Sequence, residues 1–581
     1  MIKVKDLSYS FPQKDLYNKI SFELNKGQHC AFIGSRGIGK TTLLDMILNP
    51  NKYMFKGSIE IEDSLRTGYV SQFYDVDKSS NLSVFEYIAS DFIKLEKALI
   101  KIGQEMATSS NLESLLEEYQ STRDAFESLS GDDYENLINK KLNLSNLSHI
   151  KNSTLSSVSG GEFKLIQVIK VMISLSDFII MDEPDVFLDF ENLNSLKNLI
   201  NSYKGTLLVV THNRYLLNHC FDKIIHLENT DLEEFDGNYI DYNFSLLEGK
   251  IELQELAHID TEEIKRNDLL IKKFQAAAER NTEASIGAHV NSRVKIQERL
   301  LARRVKEPFI NINRPLMAFP TPPIDDKDAI VLKVSDLTLS FEDVLLENIN
   351  FDLKRGEKLV IIGPNGSGKT TLLEELYKNA NPAITFEEGV KVGYLSQLKK
   401  ERLDEKSSVN EVFFDYGFKT YDEIKNHLLA YGFDEDLGSQ QISSLSGGEK
   451  NILQLAKLSY NKTHILLLDE PTSHLDTYSQ ISLEKAIEDY KGAIVMVSHD
   501  FYSIINCMDY VLLIEDKTIR KITMKKFKKM IYKNHFDRDY LEIEQKKKDL
   551  EIKIEMALSE NNFELAKVLC EDLRDVIKEF L

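Results

Sequence analysis

The chain has 581 residues, more than one hydrophobic core serves, so two or more domains are expected. With 42% apolar and 28% charged residues the composition is that of a soluble globular protein, and a net charge of −21 argues against general affinity for nucleic acid. No run of about 18 apolar residues would cross a membrane, the N-terminal MIKVKDLSYSF lacks the apolar stretch of a secretory signal, and Cys30, Cys220, Cys507 and Cys570 are too scattered for a metal site or disulfide framework, which fits a reducing cytosol.

In chain order, the first element with chemistry is the apolar strand AFI (31–33), followed by GSRGIGKTT (34–42). The GxxxxGKT pattern is a phosphate-binding loop. Gly34, Ser35, Arg36, Gly37, Ile38 and Gly39 let backbone N–H groups close around phosphate oxygens, Lys40 reaches the β- and γ-phosphates, and the Thr41 hydroxyl, followed by Thr42, ligates Mg²⁺. The helix that follows directs its positive end at the anion. GYVSQ (68–72) comes next, then a segment from about 80 to 145 that is acidic (Glu113, Glu117, Glu118, Asp132, Asp133). SSVSGGE (156–162) opens another helical pattern, and Ser159, Gly160 and Gly161 offer a second set of backbone donors. FIIMDE (178–183) is an apolar run ending in two carboxylates, as a buried parallel strand would. Asp182 is placed to hold Mg²⁺ and Glu183 to act as general base on the attacking water. TLLVVTHNRYLL (206–217) carries His212.

Past FDGNYIDYNF (235–244) the chain is charged, helical in period and free of proline until Pro308. The pattern predicts a helix from about 243 to 280, a break near NTEASIGA (281–288) and a second helix to about 306. At 1.5 Å per residue the first would reach ~55 Å. Between Lys265 and Lys306 eleven Lys/Arg stand against four Asp/Glu. Lys272, Lys273, Arg280, Arg293, Lys295, Arg299, Arg303 and Arg304 cluster near the break, where they suit the phosphate backbone of RNA. The alternative is a solvated coiled-coil hairpin between domains.

The motifs then recur. LVII (359–362) leads into GPNGSGKTT, giving Gly363, Pro364, Asn365, Gly366, Ser367, Gly368, Lys369, Thr370 and Thr371. GYLSQ (393–397), SSLSGGE with Ser446, Gly447 and Gly448, ILLLDE with Asp469 and Glu470, and AIVMVSHDFYSI with His499 follow. Ser159 to Ser446, Asp182 to Asp469 and His212 to His499 are each 287 residues apart, whereas Gln72 to Gln397 is 325, so the first copy carries a 38-residue insertion. Residues 517–533 hold eight Lys/Arg and no acid; a helix over about 539–559, a break at Asn561-Asn562 and another helix predict a terminal hairpin. That extension reads equally as a contact on a partner or as packing on the second domain.

The set of P-loop, glutamine, SGGE, Asp-Glu-Pro and histidine, duplicated, resembles ATP-binding cassette proteins over most of 1–240 and 328–516. The resemblance implies that each ATP lies between one domain's P-loop and the other's SGGE segment. It also implies that Gln72 and Gln397 approach the metal and water, that His212 and His499 sense the γ-phosphate, and that Phe11 and Phe341 stack on adenine, although a Phe on an early strand is as often core. Gly237-Asn238-Tyr239 with Tyr242, Ser292-Arg293 and Phe319-Pro320 further resemble the ABC-F family. The implied fold is α/β: two cassettes, each with a P-loop core, an antiparallel β part and a helical subdomain, joined by a long α-helical hairpin. The expected domains are 1–242 with an arm-like insertion at about 80–145, a linker 243–327, a second cassette 328–516 and a basic extension 517–581. The resemblance implies a cytoplasmic, monomeric ATPase whose cassettes pair within the chain. It would bind the ribosome near the tRNA exit site, with rRNA and P-site tRNA at the linker and a basic ribosomal protein at the arm, relieving stalled translation or conferring antibiotic resistance. A paired ATPase subunit of a membrane transporter is the alternative, but it leaves the basic hairpin unexplained. Within the repeats the first copy departs more: Arg36 stands for Asn365, Phe163 for Lys450, and Asp185-Val186-Phe187 for Thr472-Ser473-His474. The sites are therefore expected to be unequal, with the Lys40/Glu183 site the slower.

Overall fold

The computed structural model describes the chain apart from residues 1, 12–13, 36, 63–64, 73–80, 108–111, 175, 187, 281–293, 298–314, 323–328, 341–343, 397–404, 434–436, 536–539 and 581, and apart from the side chains of 273–280, 531–545, 548 and 579–580. Arg36, Phe187, Arg293, Arg299, Arg303, Arg304, Phe341 and Gln397 thus lie outside the described residues, as do the side chains of Lys273 and Arg280. The chain divides into two compact units, residues 1–236 with 313–531 and residues 237–312 with 532–581.

The first unit contains both cassettes. In the first, strands β1 (Ile2–Phe11), β2 (Lys14–Leu24) and β4 (Lys56–Ile61) form an antiparallel sheet in the order β2-β1-β4. Strands β3 (His29–Gly34), β5 (Thr67–Val70), β6 (Phe178–Asp182), β7 (Thr206–Val210), β8 (Lys223–Glu228) and β9 (Asp231–Asp236) form a second sheet, β5-β6-β7-β3-β8-β9. It is parallel except for the β8–β9 edge. Every residue of β6 and β7 is buried, as strands covered on both faces must be. The helix Lys40–Leu48 sits in a core that takes in Leu7 and Phe22 from one sheet and Phe32, Phe178 and Leu208 from the other.

The second cassette repeats this plan. Strands β10 (Ile330–Ser340), β11 (Val344–Lys354) and β13 (Ile384–Phe386) make the antiparallel sheet β11-β10-β13. Strands β12 (Lys358–Ile362), β14 (Val392–Leu395), β15 (Ile465–Asp469), β16 (Ala493–Val497), β17 (Tyr510–Glu515) and β18 (Thr518–Thr523) give β14-β15-β16-β12-β17-β18. Strand β18 corrects the expected boundary at 516. It pairs antiparallel with β17 over Tyr510–Thr523, as β9 does with β8, so the basic stretch from Lys517 begins inside the cassette sheet. The returning segment docks here too: Met317 and Phe319 are buried, and Phe319 meets Tyr490 edge-on at 6.3 Å.

The insertion is a pair of helices, Ser90–Met106 and Leu112–Ser128, between helices that both cassettes share. Ser83/Glu86 and Ser408/Glu411 form matching capping boxes before it, and the helices starting at Tyr134 and Tyr421 match after it. Glu113, Glu117 and Glu118 are exposed, whereas Asp132 is engaged by Arg123 at 3.1 Å.

The second unit is built on one helix, Tyr239–Arg280, of 42 residues. At 1.5 Å per residue it is about 63 Å long. It starts earlier than periodicity predicts because Asn238 caps it. Asn238 Oδ1 accepts from the Asp241 N–H at 2.9 Å while its Nδ2 donates to the Asp241 carboxylate at 2.7 Å. The GNYIDY segment therefore opens the linker rather than closing the cassette at 242. The helix is answered by a helical turn at 294–297, where Asn267 Nδ2 donates to Gln297 Oε1 at 2.6 Å, so the chain folds back as a hairpin. The terminal helices Tyr540–Ser559 and Phe563–Phe580 match the expected hairpin, with Asn561 at φ 56° in the break. Neither reading of that extension named its observed partner, the root of the linker helix. Ile240 and Ile251 pack with Ile554, Ala566, Cys570, Leu573 and Ile577, flanked by Lys567–Glu255 at 2.8 Å and Arg574–Glu248.

Candidate nucleotide sites

Each P-loop leaves a buried strand and enters a helix through a glycine in the left-handed region, Gly39 at φ 103° and Gly368 at φ 91°. The lysines are held over the loops. Lys40 Nζ donates to the carbonyls of Gly34 and Ser35 at 2.8 and 2.9 Å, and Lys369 Nζ to those of Gly363 and Pro364 at 2.8 Å each. A β-carbon on Gly366 would meet nothing within 4 Å, which leaves room above that loop for a phosphate. Thr41 Oγ1 donates to Asp182 Oδ2 at 2.9 Å. A hydroxyl and a carboxylate thus converge at the loop, a hard-oxygen pair of the kind Mg²⁺ prefers. Among the described residues no group of three or more His, Cys, Asp or Glu could hold a metal by itself.

The strands β6 and β15 end at Asp182 and Asp469, each 2% exposed. The glutamates that follow turn sharply: Glu183 and Glu470 have φ of 45° and 49°, left-handed for residues with a β-carbon. That strain, on the order of 1 kcal/mol, recurs at both sites and aims the two carboxylates out of the sheet. Burial pushes Asp182 up to about 6 against the hydrogen bond from Thr41, and burial followed by the charge of Asp469 pushes Glu470 up to about 8. His499 approaches Glu470 through its backbone N–H at 3.3 Å and through Nε2 at 3.5 Å. Burial lowers its ring to about 3, so it is neutral at physiological pH. Gln72 Nε2 donates to Glu183 Oε2 at 2.6 Å, which puts the glutamine on the candidate base rather than on Thr41 or Asp182.

The cassettes face head to tail. A β-carbon added at Gly37 would lie 3.4 Å from Glu449 Oε1, and one at Gly161 would lie 3.5 Å from Asn365 Nδ2. Each P-loop therefore approaches the other cassette's SGGE segment. Those segments start helices through capping boxes, Ser159 with Glu162 and Ser446 with Glu449. A cavity of about 490 Å³ takes in Gly160 and Gly161 on one side and Lys369, Thr370, Glu470 and His499 on the other. Asp185, Val186 and His212 share its wall, so the divergent loop borders the second site as well as its own. Phe11 is 46% exposed and stacks edge-on against Tyr9 at 5.3 Å, so it is not core.

Several participants carry no motif. His474 Nδ1 lies 3.8 Å from Glu183 Oε2, bringing a residue of the second cassette to the first cassette's glutamate. Ser35 is clamped by Glu228, through its N–H at 3.1 Å and its hydroxyl at 2.8 Å. Burial alone would push the Glu228 carboxyl up, but hydrogen bonds from His226 and Ser35 outweigh it and hold it below its ordinary value. Pro364, the counterpart of Ser35, has no N–H to offer. Asp185 accepts from Thr211 Oγ1 at 2.6 Å. Phe163 is fully buried beside Tyr87, which explains its departure from Lys450 as core packing. Arg214 reaches Glu484 and Asp500 of the other cassette. A doubled contact such as these pairs could have been sought by comparing the copies position by position, since each falls where the copies differ.

The family described as ABC transporter matches residues 17–186 and 346–473. The putative ATP-binding protein YdiF of Bacillus subtilis is 32% identical over 516 residues, covering 87% of this chain and 78% of that protein. ABC transporter F family member 2 of Arabidopsis thaliana is 28% identical, covering 89% of this chain and 75% of that protein. In fold the chain is similar to the structure titled RNase-L Inhibitor, with a TM-score of 0.54, 16% identity and coverage of 91% and 93% of the two chains. A crystal structure of archaeal ribosomal stalk protein aP1 with archaeal ribosome recycling factor aABCE1 gives a TM-score of 0.53 at 16% identity, covering 90% and 92%. With two cassettes sharing composite sites and a helical hairpin between them, the chain is an ATPase belonging to the ABC-F family.

Proposed function

We propose that the protein is a translation factor that binds the ribosome near the tRNA exit site when its cassettes are closed on ATP, and leaves after hydrolysis. The linker hairpin would act on P-site tRNA and the peptidyl-transferase centre, in the relief of stalled translation or in ribosome-protection antibiotic resistance. The observation that carries this reading is the pairing of two cassettes with a 42-residue linker helix, while no described helix is long and apolar enough to cross a membrane. The related F-family proteins and a fold neighbour named as a ribosome recycling factor support it. Of the basic residues assigned to RNA, Lys272 lies on the long helix paired with Asp268 at 3.0 Å, and Lys295 lies in the returning turn. The tip expected near 281–288 is short in sequence, which favours a housekeeping or regulatory role.

At each site Lys40 or Lys369 would neutralise the β- and γ-phosphates, and Thr41 with Asp182, or Thr370 with Asp469, would hold Mg²⁺. The ion would add charge neutralisation on those phosphates. Glu183 and Glu470 would accept the proton of the attacking water, with His212 and His499 beside the γ-phosphate. The ATP-bound form needs only a higher affinity for the ribosome than the ADP-bound form for the cycle to run. The test is co-sedimentation of the Glu183→Gln/Glu470→Gln protein with 70S ribosomes in ATP, followed by cryo-EM of the complex. Protein that stays off ribosomes and copurifies with membranes would replace this reading with the transporter one.

A further inference from the structure

One buried contact between the cassettes is asymmetric. Arg214 opens the helix Arg214–His219, two residues after His212. Its side chain is 12% exposed and lies among groups of the other cassette. It pairs with Glu484, meets Asp500 Oδ2 at 3.3 Å and rests on the ring of Tyr502 at 4.5 Å. The side chains of Glu484 and Asp500 are themselves only 6% and 17% exposed.

Asp500 immediately follows His499 and is already fixed on its own side. Its backbone N–H donates to Ser498 Oγ at 3.0 Å, its Oδ1 caps the next helix through the Tyr502 N–H at 3.3 Å, and its Oδ2 accepts from Ser503 Oγ at 2.5 Å. The remaining charge on Oδ2 is met by Arg214 from across the interface. The histidine adjoining Asp500 is the one that reaches Glu470.

The repeat provides an internal control. With the 287-residue offset, the counterparts of Arg214, Glu484, Asp500 and Tyr502 are Phe501, Lys197, Asn213 and Tyr215. There the cap is the neutral Asn213, Lys197 Nζ donates to the Tyr215 hydroxyl at 3.0 Å, and Phe501 stacks on Phe190 at 5.6 Å. A stack of rings occupies the place of the cation. It fills space but does not orient a carboxylate.

We propose that Arg214 is a positioning residue acting in trans on the Lys369/Glu470 site: from the first cassette it fixes Asp500 and, through it, sets His499 against Glu470. Among the described residues the counterpart positions carry the Phe501–Phe190 stack in place of this brace, and the two sites differ in how their histidine loops are held. This rests on the roles proposed above for Glu470 and His499 but not on ribosome binding, since the readout is hydrolysis by the free protein.

The experiment is single-turnover ATP hydrolysis by the full chain with one site silenced at a time. Glu183→Gln leaves the Lys369/Glu470 site to be read, and Glu470→Gln leaves the other. Adding Arg214→Gln should slow the first background by about tenfold, with the half-saturating ATP concentration nearly unchanged, and should leave the second within about twofold. Arg214→Lys should recover part of the rate. In a His499→Ala background Arg214→Gln should add nothing, because its effect runs through that ring. If Arg214→Gln does not fold, Arg214→Gln/Glu484→Gln removes the stranded charge and should show the same selective loss. Equal losses at both sites, or a loss confined to ATP affinity, would show that Arg214 merely holds the cassettes together and would overturn the proposal. A silent His499→Ala would overturn it by way of the site reading, which separates the two failures.

Discussion

Asp185 is the residue on which the inequality of the sites can be measured as a stability. Asp185→Asn keeps the shape and keeps an oxygen for the Thr211 hydroxyl, which donates at 2.6 Å, and removes only the charge. Burial, opposed by that hydrogen bond and aided by the neighbouring Glu183, pushes the Asp185 carboxyl up to about 6. An ordinary aspartate ionises near ~4, and each tenfold change is worth about 1.4 kcal/mol, so the full displacement would cost the ionised folded protein ~3 kcal/mol. Because the residue keeps some solvent contact, about half of that, ~1.5 kcal/mol, is expected. The sign follows from a folded-state value above the unfolded one. The stabilisation is complete below about pH 4 and is lost as pH rises through about 6. The variant should therefore equal the parent near pH 4.5 and exceed it by ~1–2 kcal/mol at pH 8. Urea unfolding without nucleotide, run on both proteins across this range, measures the difference. A variant less stable than the parent at pH 8, or a difference that does not vary with pH, would refute the assignment of a buried, costly charge.

Other outcomes follow from the same geometry. Glu470→Gln should remove more steady-state ATPase activity than Glu183→Gln; equal losses would mean that the divergent loop is without catalytic effect. Gly39→Ala should weaken ATP binding more than Gly368→Ala, because both have positive φ but only the first β-carbon would collide, 2.8 Å from the Tyr17 hydroxyl. Filter binding of labelled ATP to each variant reads this. Leu573→Ala, at a position 1% exposed in the three-helix cluster, should cost ~2–5 kcal/mol. Hydrogen exchange should then speed up in 540–580 and 239–258, with the cassette strands unaffected. Removal of Mg²⁺ by chelation should abolish turnover at both sites and lower ATP affinity.

The cassettes were legible because their signals are local and occur twice. The P-loops, the buried strands ending in Asp182 and Asp469, and the capped SGGE helices each depend on a few consecutive residues. The insertion could be sized and placed from offsets alone. What escaped was set by distant partners. Strand β18 reads as a basic tail until its pairing with β17 is seen, because an edge strand facing solvent needs little apolar character. The terminal helices show a clear stripe, but periodicity gives no address for it, and the helix at Tyr239 supplied one. Arg214 looks like a surface arginine after a histidine motif; only the fold brings Glu484 to it. The start of the linker helix was missed because Asn238, read as part of a family element, is also a cap.

The three-helix cluster has a mechanical consequence. Contacts from the terminal hairpin run along the linker helix from Ile240 to His258, where the imidazole meets Phe563 at 5.6 Å. Three helices bound side by side resist flexing far more than one, so the root of the long helix is splinted. Trimming the last forty or so residues would remove that splint from Tyr239–His258 while leaving every nucleotide-binding residue in place.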